Sequence, residues 1–354
     1  MGVYFGFAVL EGVLAMAIIA INLLVCATVY LHKELRGITN YLIVCLAVAD
    51  LGVGALAIPF SVVLSMEYTL CFYACLFLTC FPLVTTQFSI LLLLVIAINA
   101  HLKIKLPNSY AMHVKKVWVM ILVAFCWLLS LLIGLSPMMG WNRFQQYAET
   151  NNKTLAFSFP SERAAFVVIA RDIPYGRFLS KVYSKRRNFS YNEIHEGHLV
   201  PCSFTSIFSP EYLVYFVFFT CTLLPLAAML GIYADLFRVV RGHFRSQALW
   251  PAKRREIQMA RTLFLLVGVF CVCWGPLHVI YCVQLLCPRC QRYESLDRLA
   301  VLLSHLNSLA NPLVYALRKK DFALALRSVF LYRVLRWPRL KACCCSRHKV
   351  HPQA

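Results

Sequence analysis

The chain has 354 residues and a formal net charge of +20, with 60% of its residues hydrophobic and only 14% charged. A soluble domain is about 45–50% apolar and about 25% charged, so this composition excludes a single water-soluble globule. The basic residues lie between apolar segments and do not interleave with aromatic ones on a polar domain, which sets aside nucleic acid as a partner.

Seven stretches are apolar and long enough to cross a bilayer, which takes about 20 residues. They cover 7–31, 40–66, 72–100, 117–141, 212–237, 262–286 and 296–317. Lipid offers backbone N–H and C=O groups no partner, so each stretch is expected to be a helix. The fold class is therefore an all-α membrane protein, a seven-transmembrane helix bundle spanning 7–317. Residues 1–6 carry no basic run, so the first span is expected to act as its own insertion signal. After the seventh span, Lys319 to Arg327 alternates apolar and basic residues at helical spacing. This predicts a short amphipathic eighth helix in the membrane interface, at the head of a basic tail over 318–354.

Charge sets the direction of threading. The connections at 32–39, 101–116 and 238–261 and the tail together hold 23 of the 35 Lys and Arg residues. The first six residues hold none, and neither does 67–74. The long connection 142–211 holds nine, but long loops translocate largely regardless of charge. The N-terminus is thus expected outside and the C-terminus in the cytoplasm, in a multi-pass protein of the plasma membrane. Asn152-Lys153-Thr154 and Asn188-Phe189-Ser190 are then glycosylation sequons on the outer face. Cys343, Cys344 and Cys345 lie in the basic tail, either as palmitoylation sites that add a lipid contact or as free thiols.

Polar groups inside a membrane are costly, and each is a candidate for function or for a helix-to-helix hydrogen bond. In chain order, Glu11 stands near the outer end of the first span and Asn22 deeper in it. Asp50 is the carboxylate of the second span, with Ser89, Asn307 and Asn311 at comparable depth in others. One carboxylate with neutral oxygens suits a small hard cation such as sodium, or else Asp50 sits protonated in a neutral polar network. His305 stands in the seventh span, and an unpaired charge at that depth would be expensive, so a Glu11–His305 pair across the first and seventh spans is expected. Prolines punctuate Cys273-Trp274-Gly275-Pro276 and Asn311-Pro312-Leu313-Val314-Tyr315, where they free a carbonyl and kink the helix. No nucleophile elbow, phosphate loop or metal motif is present to suggest an enzyme.

Six landmarks in order resemble the rhodopsin-like G-protein-coupled receptors: Asn22, Leu46-Ala47-Val48-Ala49-Asp50, Trp127, Pro225, Cys273–Pro276 and Asn311–Tyr315. Three further runs resemble the adenosine receptors, most of all their third subtype. They are Cys75-Leu76-Phe77-Leu78-Thr79-Cys80, the run from Gly134 to Asn142, and Leu303-Ser304-His305-Leu306-Asn307-Ser308. The resemblance implies a receptor for a nucleoside-like small molecule that signals through a heterotrimeric G protein. It implies that Phe204 stacks on the base and that Leu277 covers the base's other face. Thr86, Ser304 and His305 would take the ribose, with Glu11 steadying His305 and Trp274 close by. It adds weight to a sodium site at Asp50, Ser89, Asn307 and Asn311. It implies a disulfide between Cys75 and Cys202 and a small ring closed by Cys287 and Cys290, leaving Cys71 over.

Three departures from the family bear on function. Asn99-Ala100-His101 stands where the family has Asp-Arg-Tyr, so these residues and Tyr315 form a G-protein contact without its arginine. A non-signalling or weakly coupling relative, a decoy or partner subunit, is therefore the alternative reading. Tyr281 stands where the family places an asparagine that forks onto the adenine edge. Pro82 lies at a pocket-facing position of the third span, and 60 residues separate Trp141 from Cys202, with an insertion between about 159 and 198.

Overall fold

The structure, a computed structural model, describes residues 2–66, 69–143, 199–244, 251–287, 289–291, 293–318 and 320–331. Among them, seven helices are long and apolar enough to cross a membrane: Phe5–Leu31, Ile38–Ser65, Phe72–Lys105, Lys116–Met139, Tyr212–Val239, Phe264–Leu286 and Glu294–Leu317. Large apolar side chains such as Met16, Trp118 and Val272 face outward from the bundle. That arrangement fails in water and is ordinary against lipid. The sequons at Asn152 and Asn188 and the tail thiols Cys343, Cys344 and Cys345 lie outside the described residues.

Seven spans were expected, and seven are seen in the same order; their ends differ for a physical reason. The first helix begins at Gly2, inside the short segment 1–6. The third runs on to Lys105, and the sixth begins at Pro251, well before 262. Hydropathy marks where lipid contact stops. Backbone hydrogen bonding continues past that point into polar residues such as Lys103 and Lys105.

The third span is the axis of the bundle. About 72% of its apolar window is buried, against 28% for the fourth, which sits at the periphery. Close helix approach needs small residues at the crossings. Gly134 of the fourth span is one, since a Cβ there would sit 2.4 Å from Val84 Cγ2 and 2.8 Å from the Val84 backbone nitrogen. Gly54 of the second span is another, facing Ile19 and Ala15 of the first.

Prolines shape two spans. The helix widens by a residue per turn over Val53–Ala57 and again over Tyr212–Leu223. The first wide stretch ends just before Pro59 and the second just before Pro225. A proline supplies no N–H and crowds the preceding turn, and a wider turn relieves both defects.

Of three apolar clusters among the described residues, the two larger lie towards opposite ends of the bundle. At the basic end Leu46, Phe88, Ile96, Phe270 and Tyr315 pack together, with Trp127 stacked on Phe88 at 4.0 Å. The other end holds Phe72, Leu76, Phe208, Tyr212, Leu277 and Tyr281. There, two short antiparallel strands pair Thr69–Cys71 with Leu199–Pro201. The helix Lys320–Val329 follows the seventh span. It lays Phe322, Ala325 and Val329 against the bundle and leaves Leu324 exposed. Phe322 meets Tyr315 edge to face at 6.5 Å.

Candidate functional site

The end with the paired strands also carries two disulfides, Cys75–Cys202 and Cys287–Cys290. The first ties the start of the third span to the segment that delivers Phe204, two residues further on, over the bundle. Cys71, one turn before Cys75, is buried and free.

Beneath that lid lies a cavity of about 200 Å³. Its lining includes Thr86, Phe204, Trp274, Leu277, Tyr281, Ser304 and His305, drawn from the third, sixth and seventh spans and the long connection 142–211. Seven of the eight residues named from sequence as ligand contacts therefore converge on one space. The eighth, Glu11, stands behind it. Its carboxylate lies 2.8 Å from His305 Nδ1, with Glu11 fully buried and His305 nearly so. With Nδ1 committed to Glu11, Nε2 is the ring nitrogen left for a ligand. Nearby hydroxyls are held by their own helices. Thr86 donates to the Pro82 carbonyl at 2.7 Å, and Ser304 donates to the Val301 carbonyl at 2.7 Å. Each hydroxyl oxygen then offers its lone pairs to the cavity as an acceptor.

Further polar side chains that sequence reasoning passed over also line the cavity, among them Gln87, Thr222, His278 and Gln284. Both amide atoms of Gln87, the Thr222 hydroxyl and both ring nitrogens of His278 are buried without a hydrogen-bond partner, as is Trp274 Nε1. A buried polar group left unpaired costs about 1–3 kcal/mol, so this floor suits a polar guest. The signal was present, since each is a polar residue in an apolar span, but helical phase alone did not say which ones faced inward. Phe218 stacks on His278 at 4.6 Å and fixes its ring.

The cation reading of Asp50 is matched in part by the geometry. Asp50 is fully buried, and its Oδ2 accepts from Asn311 Nδ2 at 3.0 Å. Ser308, not singled out from sequence, stands beside the same carboxylate. Ser89 instead donates to the Thr85 carbonyl at 3.0 Å. Asp50 Oδ1, Asn307 Oδ1 and Asn311 Oδ1 are buried acceptors without partners. One carboxylate with neutral oxygen donors is a set that fits a small hard cation. Ser89 and Asn307 also line the lower end of the cavity, so the two sites adjoin.

At the basic end, the residues expected to meet a G protein are turned inward. Asn99 accepts from the Tyr110 hydroxyl at 2.7 Å, Ala100 is buried, and Tyr315 is buried with its hydroxyl unpartnered. His101 Nε2 lies 3.6 Å from Asp235 of the fifth span, and Lys105 Nζ reaches the same carboxylate at 2.7 Å. These contacts link the third and fifth spans at this end.

Residues 21–170 and 178–315 match the family "7 transmembrane receptor (rhodopsin family)". The adenosine receptor A2a of Homo sapiens is 37% identical over 335 residues, covering 91% of this chain and 72% of that receptor. The adenosine receptor A2b of Gallus gallus is 36% identical over 323 residues, covering 89% of this chain and 85% of its own. The A2b receptor of Mus musculus is 35% identical over 335 residues, covering 93% and 91%. On the strength of these matches across nearly the whole bundle, the chain belongs to the rhodopsin family of seven-transmembrane receptors, among the adenosine receptors.

Proposed function

We propose that this chain is a plasma-membrane receptor that binds a nucleoside-like small molecule in the cavity beneath Phe204 and signals through a heterotrimeric G protein. The observation that carries the reading is the meeting, in one cavity, of an aromatic face, an apolar face and a buried histidine held by a carboxylate. The base would stack on Phe204 with Leu277 against its other side. The ribose hydroxyls would donate to Thr86 and Ser304 and to His305 Nε2. Trp274 would close the floor. In this reading the disulfide-bearing end faces outward and the basic end faces the cytoplasm, which the distribution of Lys and Arg supports. Asp50, Ser89, Asn307 and Asn311, with Ser308, would hold a sodium ion below the ligand. Asn99, Ala100, His101 and Tyr315 would lie at the G-protein face.

The relatives named above are A2a and A2b receptors. Likeness to the third subtype rests on the runs at 75–80, 134–142 and 303–308 alone. A second reading, a relative that binds ligand but couples weakly or not at all, is favoured by Ala100 at the arginine position and rests on that substitution alone. The experiment for the leading reading is saturation binding of tritiated adenosine and inosine analogues to membranes that carry the chain. Saturable binding displaced by unlabelled nucleoside is the expected result. Its absence for both ligand classes would remove the nucleoside assignment.

A further inference from the structure

One face of the sixth span lines the cavity from its floor to its mouth. Trp274, Leu277, Tyr281 and Gln284 stand at positions i, i+3, i+7 and i+10 of one helix, and all four border the cavity. Gln284 is the outermost of them. The residue is half-buried, yet its Nε2 is buried and has no hydrogen-bond partner. The other unpartnered nitrogens of the described lining, on Gln87, Trp274 and His278, belong to the floor. A helical side chain leans back over the turn before its own Cα. In the sixth span that direction runs towards Tyr281 and Leu277, so the Gln284 amide is carried inward from the mouth. Tyr281 presents a ring and one hydroxyl where an amide would fork onto a base. Gln284 supplies an amide one turn further out, on the same face.

We propose that Gln284 reads the edge of the base, and that it selects 6-aminopurine nucleosides with a free N7. The amide Nε2 donates to N7, and Oε1 accepts from the 6-amino group. A glutamine amide matches that acceptor and donor in one plane. A 6-oxopurine offers two acceptors at the same edge, so it satisfies Nε2 and sets an oxygen against Oε1. A base without N7 leaves the buried nitrogen unpaired, as it is in the empty cavity.

The proposal rests on the nucleoside reading above, and its test separates the two. Adenosine, inosine and 7-deazaadenosine are competed against a tritiated adenosine analogue on membranes carrying the full chain, its Gln284→Met variant and, separately, Gln284→Leu. On the unmodified chain inosine and 7-deazaadenosine are each expected to bind about ten-fold more weakly than adenosine, the loss when a buried polar group goes unpaired. In both variants the ratios of adenosine to inosine and to 7-deazaadenosine fall towards one. Equal binding of the three nucleosides to the unmodified chain overturns the proposal and leaves the nucleoside reading standing. So does an adenosine preference that survives in either variant. Absence of saturable binding of the label to the unmodified chain overturns the nucleoside reading, and this one with it.

Discussion

A carboxylate and an imidazole buried between two membrane helices must answer each other's polarity, because neither lipid nor a neighbouring leucine will. Glu11 and His305 do so at 2.8 Å across the first and seventh spans. In the proposed binding mode Glu11 would act indirectly, since its carboxylate stands behind the lining and orients the ring. Glu11→Gln should therefore weaken nucleoside binding by about 1–3 kcal/mol, the range for a disrupted buried hydrogen bond, with surface expression retained. Competition binding normalised to surface receptor checks this; an unchanged affinity would mean the ring is held by its packing alone. Tyr281 poses the opposite case. A phenol offers one hydroxyl, whereas an amide offers a planar donor and acceptor together. Tyr281 lines the cavity. Tyr281→Asn should thus strengthen binding of adenine nucleosides by about 1–3 kcal/mol. No gain would indicate that Pro82, which borders the same cavity, has already reshaped the base site.

Between elements, the bundle depends on where backbones are allowed to touch. Gly134 meets the Val84 backbone so closely that an added methyl group would require the fourth span to move from the third. Gly134→Ala should cost about 1–3 kcal/mol by overpacking, read as a lowered midpoint of thermal unfolding in detergent. Gly268→Ala, where a Cβ would meet nothing within 4 Å, serves as the control and should leave the midpoint unchanged or slightly raised. The number and order of the spans were readable from hydropathy because a bilayer imposes a length and an apolar composition on every crossing. Glu11–His305 was readable because two costly groups at similar depth had one economical solution. Ser308 at Asp50, and Gln87, Thr222 and His278 in the cavity, were not, because they depend on how each helix is rotated about its axis. That rotation is set by contacts between spans, and wide turns such as Val53–Ala57 shift it by an amount no single-helix pattern records. The tie from Lys105 to Asp235 was missed for the same reason, since it joins two helices whose relative rotation only the packed bundle defines.

Across the molecule, in the proposed reading, ligand and G protein would act at opposite ends of one set of helices. That reading gives the cavity its expected contacts in Thr86, Phe204, Leu277, Ser304 and His305, and places Ala100 where an arginine is expected at the basic end. Asp235 ties the third span to the fifth, but a pair this exposed is screened by solvent and cannot by itself hold one state. A missing contact buried in the receptor–G-protein complex should matter more. Coupling in a G-protein dissociation assay is therefore expected to be low in the unmodified chain and to rise in Ala100→Arg at equal surface expression. Full ligand-dependent coupling of the unmodified chain would contradict that expectation. The central claim, a nucleoside site organised around His305, is tested most directly by saturation binding of a tritiated adenosine analogue to membranes carrying the unmodified chain and its His305→Ala variant. The account predicts saturable binding that falls by at least about ten-fold in affinity in the variant, the loss of one strong hydrogen bond. Saturable binding that His305→Ala leaves untouched would contradict it.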